Sequence, residues 1–175
     1  MKFVWKSKML NNNPTRPKQD DQAVFDQQPL LLFRIEDRHY AFAIDDVIEV
    51  SAMVELITPP GLPLGLLGVF NRHGDPVPIL DLRSLMTGAT QYVSASSLFI
   101  VIRKQDALMG VVVDEVEQVI YVPRAGIKQV STSGRYIHGI ITYNERLLQL
   151  VSAVSLFADF ASDHIVYDGS KVDTS

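Results

Sequence analysis

The chain has 175 residues, 47% apolar and 21% charged, which is enough for one substantial core and far from a disordered composition. It has no cysteine, which excludes a disulfide framework, a thiolate zinc site and a cysteine nucleophile. The net charge of −4 is unevenly spread: Lys2, Lys6, Lys8, Arg16 and Lys18 all precede the first acid, Asp20. The rest of the chain is therefore more acidic than the net value conveys, which argues against nucleic acid as a partner.

At the N-terminus, lysines interrupt the apolar residues of Met1-Lys2-Phe3-Val4-Trp5-Lys6, so the continuous apolar stretch of a signal peptide is missing. No later segment approaches the run of about 20 apolar residues that spans a bilayer. The expectation is a cytoplasmic protein without direct membrane insertion. Residues 1–28 carry the Asn11-Asn12-Asn13 run, two prolines and several Asp and Gln without an apolar period, and read as a disordered leader. Trp5, the only tryptophan, is assigned no role there.

From Leu30 onward short apolar or alternating runs are cut by turn residues about every ten positions, as in a sheet sandwich or barrel. The expected strands are Leu30 to Ile35, Tyr40 to Ile44, Leu66 to Phe70, Val77 to Leu80 and Leu98 to Ile102. Leu108 to Val113, Val116 to Val122, Tyr136 to Ile141 and Leu147 to Val151 complete them. Helices are few: a short one at Asp45 to Ser51, a turn after Asp81, and a last one from near Ser152 to Ala161. A flexible tail is expected over 162–175. The fold class is all-β.

The two halves echo each other. Asp45-Asp46-Val47-Ile48-Glu49-Val50 resembles Asp114-Glu115-Val116-Glu117-Gln118-Val119. Gly68-Val69-Phe70 leading to Ile79-Leu80-Asp81 resembles Gly139-Ile140-Ile141 leading to Leu150-Val151-Ser152. A duplicated small barrel is one reading, because closing each sheet on itself removes exposed edges. Coincidence among common hairpin patterns is the other.

Chemistry finds little to stand on. His39, His73, His138 and His164 form no i, i+4 pair, and no metal site or cofactor is expected. The usual catalytic and nucleotide-binding glycine motifs are missing. Asp75, Asp81 and Asp114 would make a hydrolase only if two of them converged to about 5 to 9 Å. Asp75 reads better as a hairpin-tip residue, Asp81 as the cap of a helical turn, and Asp114 as a solvated connector.

The segment Gly68-Val69-Phe70-Asn71-Arg72-His73-Gly74-Asp75-Pro76-Val77-Pro78-Ile79-Leu80-Asp81-Leu82-Arg83 differs in kind. It reads as a hairpin with Arg72 and His73 at its tip. Pro76 and Pro78 cannot donate to a ladder, so they belong at an edge or a bulge.

This segment resembles the hallmark of CheW-like domains, roughly Gly-Val-x-Asn-Leu-Arg-Gly-x-x-x-Pro-Val-x-Asp-Leu-Arg. Gly68, Val69, Asn71, Gly74, Pro78, Asp81, Leu82 and Arg83 match in register. The likeness extends back through Val50, Glu49, Val47 and Ile44 to Tyr40, and forward to Gly110-Val111-Val112-Val113-Asp114 and Tyr136-Ile137-His138-Gly139-Ile140. It places a CheW-like domain at 29–161.

The resemblance implies two intertwined five-stranded SH3-like barrels without catalytic activity. It further implies an adaptor that couples the cytoplasmic tips of chemoreceptors to a CheA-type histidine kinase, whose regulatory domain is similar, with assembly into rings beneath the receptor array. Val47, Glu49, Val50, Asn71 and His73 correspond to positions that contact the receptor's helical tip, with Arg72 beside them. A helix held in an apolar groove with a polar rim suits that assignment. For Val47 and Val50 the alternative is burial under the short helix, and for Glu49 a solvated helix end. Gly68, Gly74 and Gly139 are expected to serve the backbone, and Pro78, Asp81 and Arg83 the structure of the motif.

The chain departs from the pattern where the family's tip arginine is His73, the preceding leucine is Arg72, and a frequent arginine is Ser51. Histidine offers fewer donors and is mostly neutral at pH 7. The expectation is weakened or redirected receptor coupling: either Arg72 swings into the vacated role, or the protein serves a different array, such as one governing surface motility. The alternatives are a divergent scaffold without normal receptor coupling and, from another class, a carboxylate hydrolase or small-molecule barrel.

Overall fold

The computed structural model describes the backbone of Lys2 and Phe3, and residues 26–89, 93–94, 96–131 and 134–160. The strands in chain order are β1 (Lys2–Phe3), β2 (Gln27–Ile35), β3 (Arg38–Ala43), β4 (Val47–Ala52), β5 (Leu66–Arg72) and β6 (Asp75–Asp81). Helix α1 (Leu82–Thr87) follows, then β7 (Leu98–Lys104), β8 (Ala107–Val113), β9 (Glu115–Pro123), β10 (Lys128–Gln129), β11 (Ile137–Tyr143) and β12 (Arg146–Val151). Helix α2 (Ala153–Phe160) ends the described chain, and 3-10 turns occupy Ile44–Asp46 and Arg124–Gly126.

The strands form two sheets, ordered β1-β4-β7-β8-β6-β5 and β10-β11-β12-β3-β2-β9. Apart from the two-residue strands β1 and β10, each has five strands. They are two intertwined SH3-like barrels, here A and B, as expected from the sequence. The echo in the sequence is the key to the intertwining. Each half of the chain runs hairpin, single strand, hairpin, helix, and the leading hairpin of each half (β2-β3 or β7-β8) joins the barrel built by the other half. The parallel pairs correspond, β6 on β8 and β12 on β3. So do the irregularities, at Leu66/Gly68 on β5 and Ile137/Gly139 on β11.

This exchange explains why so many strands are apolar on both faces. In β2 the side chains alternate between two cores: Leu30 and Leu32 fill the interior of barrel B, while Leu31, Phe33 and Ile35 enter a core shared by both barrels. In β7, Phe99 and Val101 fill barrel A while Ile100 and Ile102 face the shared core. Phe33 and Phe42 are fully buried in that core with ring centroids 5.1 Å apart. Burying each contributes about 2–3 kcal/mol. Helix α2 seals the shared core with Ala153, Leu156, Phe157 and Phe160, an i, i+3, i+4, i+7 stripe. Tyr136 donates to Asp159 of that helix at 2.8 Å, and burial together with this bond pushes its phenol up to about 12.

Two expectations are corrected. The short helix expected at Asp45 to Ser51 is only the 3-10 turn Ile44–Asp46, and Val47–Ala52 is strand β4. A register shift between Val47 and Glu49 inserts a residue, so Val47 and Val50 face the shared core together while Ile48 turns into barrel A. The three-residue spacing of Val47 and Val50 mimics a helix for that reason. Secondly, parts of the segment expected as a disordered leader are strand: Gln27 and Gln28 begin β2, and Lys2 and Phe3 pair with Ser51 and Val50 on the outer edge of β4. Residues 1 and 4–25 of that leader, Trp5 among them, lie outside the described residues, as do His164 and the expected tail at 162–175.

Candidate functional site

Strands β4 and β5 stand at opposite ends of the five-stranded sheet of barrel A, yet they meet. Ile57, beyond the end of β4, bridges to Val69 of β5 through bonds of 2.9 Å (Ile57 N–H to Val69 O) and 2.8 Å (Val69 N–H to Ile57 O). Further along this seam, Arg72 Nε donates to Glu49 Oε1 at 3.2 Å and Nη2 to Oε2 at 3.1 Å. A curled sheet alone brings these strands together, so the fork between Arg72 and Glu49 is a clasp on the closed barrel. Barrel B closes in the corresponding way, where the chain leaves β9 and pairs as β10 with β11.

The glycines of the motif belong to these seams. A Cβ on Gly68 would lie 2.7 Å from the carbonyl oxygen of Ile57, and one on Gly139 would lie 3.0 Å from Ile127. At Gly68 the Ile57 backbone leaves no room for a side chain, whereas at Gly139 the Ile127 side chain would have to give by a few tenths of an ångström. Gly74 serves the turn instead: with His73 at φ 54° and Gly74 at φ 100°, the tip between Arg72 and Asp75 has two residues of positive φ, as a two-residue hairpin of this twist requires. Asn71 Oδ1 accepts from the Gly74 N–H at 2.8 Å and fixes the tip. Pairing of β6 with β8 begins only at Ile79, past Pro76 and Pro78, which meets the requirement the prolines impose.

The structure sorts the expected contact residues. Val47 is fully buried in the shared core, so it holds β4 in place and has no surface to offer a partner. Glu49 and Val50 are half-buried on β4, while Asn71 and His73 are exposed at the tip. Arg72 is half-buried and tied to Glu49, which raises its pKa above the ordinary guanidinium value despite partial desolvation. In the structure it is held in the clasp and does not stand in the place of the family's tip arginine. Sequence reading missed the Glu49–Arg72 pair, since nothing local relates residues at opposite edges of a sheet.

The other motif residues make contacts within the fold. Asp81 is fully buried and caps α1, its Oδ1 accepting from the Ser84 N–H at 3.3 Å. Arg83 reaches Glu36 at 3.2 Å and Asp114 at 3.0 Å. Asp114 also accepts from the Glu36 N–H at 2.6 Å, so the expected solvated connector is in fact a tie between the β2-β3 turn and the β8-β9 crossover. Asp75 and Asp81 stand at opposite ends of the seven-residue strand β6, roughly 20 Å apart, too far for a catalytic pair. His39 contacts Glu117 at 2.9 Å between β3 and β9. Among the described residues no group of three His, Cys, Asp or Glu is placed to hold a metal ion, and no helix is long and apolar enough to cross a membrane.

Comparison with known proteins agrees with this architecture. Residues 29–161 match the family described as the CheW-like domain. The chain is 26% identical over 139 residues to a probable chemotaxis protein CheW of Rhizobium etli, covering 77% of this chain and 90% of that protein. It is 26% identical over 123 residues to the chemotaxis protein CheW of Helicobacter pylori, covering 68% and 74%, and 23% identical over 146 residues to that of Bacillus subtilis, covering 81% and 94%. Among solved structures, the scaffolding protein TtCheW of Thermoanaerobacter tengcongensis superposes with a TM-score of 0.66 at 23% identity, covering 71% of this chain and 88% of that one. With the motif, the paired barrels and a family match over three quarters of its length, the chain belongs to the CheW-like domain family.

Proposed function

We propose that this chain is a non-catalytic cytoplasmic adaptor that couples the helical tip of a chemoreceptor to a CheA-type histidine kinase in a chemosensory array. The observation that carries the reading is the seam of barrel A. It gathers Glu49 and Val50 of β4 with Arg72 and the exposed tip residues Asn71 and His73, at the positions where the family resemblance puts the receptor contact. In this reading Val50 supplies apolar contact, Asn71 and His73 the polar rim, and the Arg72–Glu49 clasp the rigid footing that a preformed groove needs. The kinase binds through its own CheW-like regulatory domain.

Because Arg72 is tied to Glu49, the tip presents His73 where the family's pattern has a guanidinium. That observation favours a second reading, a scaffold that joins the array, or another signalling or motility assembly, without normal receptor coupling. The two readings are separated by titrating a soluble receptor hairpin fragment against wild type, Val50→Asp and His73→Arg. Receptor coupling predicts at least a tenfold loss for Val50→Asp and a gain for His73→Arg. Equal affinity in all three removes the seam from the receptor site.

A further inference from the structure

The outer edge of β4, opposite β7, is the edge that the curled sheet turns toward β5. An edge strand presents unpaired N–H and C=O groups and accepts an extended segment. In this chain it accepts its own N-terminus: Lys2 and Phe3 pair antiparallel with Ser51 and Val50. This is the stretch of β4 that carries the half-buried Val50, one residue from the Glu49–Arg72 clasp.

A paired strand lies about 4.8 Å from its neighbour, whereas a packed helix keeps its axis about 8–10 Å from the next element. A helix laid along this edge and β1 would need the same space. We propose that β1 is an intramolecular occupant of the barrel A seam, which masks the docking edge and must leave before a helical partner can seat. The proposal rests on the reading of the seam as the receptor site.

The geometry suits an exchangeable mask. Among the described residues the pairing rests on Lys2 and Phe3 alone, and a chain as long as residues 4–25 spans about 70 Å when fully extended. A connection of that length is long enough for the segment to leave and to return from a high effective concentration. A docked-to-free ratio on the order of ten would raise the partner's apparent dissociation constant by about the same factor.

The chain has no cysteine, so a single engineered pair tests this directly. Lys2 and Ser51 are register partners, and Cα atoms of such partners lie about 4.5 or 5.5 Å apart, within disulfide range. Lys2→Cys/Ser51→Cys is oxidised at low protein concentration, the intramolecular bond is read by peptide mass, and binding of a soluble receptor hairpin fragment is measured before and after reduction. The expected result is a bond within the monomer, at least tenfold weaker binding when oxidised, and recovery with dithiothreitol. Deletion of residues 1–10 should tighten binding by about three- to tenfold. Failure of the bond to form overturns the pairing, and a bond that leaves affinity unchanged overturns the masking. If the reduced protein and the deletion variant both fail to bind the fragment, the receptor reading falls and the masking with it, while the mass measurement still decides whether β1 pairs with β4.

Discussion

Breaking the clasp between β4 and β5 should destabilise the domain unequally from its two sides. At 3.1 Å and an effective dielectric constant of about 20, the gross attraction between Arg72 and Glu49 is about 5 kcal/mol. Desolvation of both groups offsets most of it, leaving a net coupling of about 1–2 kcal/mol. The partners differ in burial, with 23% of the Arg72 side chain exposed against 13% for Glu49. Arg72→Met strands the more buried carboxylate and should cost about 2–3 kcal/mol. Glu49→Gln strands a guanidinium that is better hydrated and still feels the charge of Asp75, and should cost about 1–2 kcal/mol. The double variant should cost less than the sum of the two, by the coupling energy. Urea unfolding of the four proteins at 25 °C, with equal m-values, gives the cycle. A coupling below about 0.5 kcal/mol, typical of an exposed pair, would refute the view of the clasp as a closing element of barrel A.

Gly68→Ala should destabilise by about 1–3 kcal/mol, because its Cβ meets the Ile57 carbonyl oxygen at 2.7 Å across the seam. A thermal melt indistinguishable from wild type would contradict that close approach. Asp81→Ala should cost about 1–2 kcal/mol in denaturant unfolding through loss of the α1 cap at a fully buried position. Asp46 provides a test by pH. Burial, reinforced by Asp45 and partly offset by Lys104, raises its carboxyl above 3.8, so the folded state binds the proton more tightly than the unfolded state. Its ionisation therefore costs stability as pH rises from below 3.8 through the raised folded value. Asp46→Asn should match wild type in stability at about pH 3 and exceed it at pH 7; an advantage that does not grow with pH would refute the assignment.

Much of this fold is legible in the sequence because hairpins announce themselves. Alternating runs around Glu36-Asp37, His73-Gly74, Gln105-Asp106 and Asn144-Glu145 place the four hairpins to within a few residues, and Asp81 and Ser152 announce the two helices. The echo between halves exposes the duplication, although the exchange of hairpins between barrels has no local signature. Strand β4 fails to read as a strand because its bulge turns Val47 and Val50 to one side, a spacing that a helix would also produce. For the same reason Val47 passes for a contact residue, whereas it is core. The clasp is hidden because Glu49 and Arg72 meet only when the sheet curls. Strand β1 is hidden because Lys2-Phe3 has no periodicity of its own and is defined by the edge it pairs with.

The central claim is that this chain bridges receptor and kinase, and reconstitution tests it most directly. Receptor-bearing membranes and the CheA-type kinase are sedimented with and without the purified chain. The adaptor reading predicts that the chain pellets with the receptors, brings the kinase down with it, and loses both effects on Val50→Asp in a protein that remains folded. Sedimentation of the kinase that is independent of the chain, or a chain that stays in the supernatant with both partners present, would contradict the account.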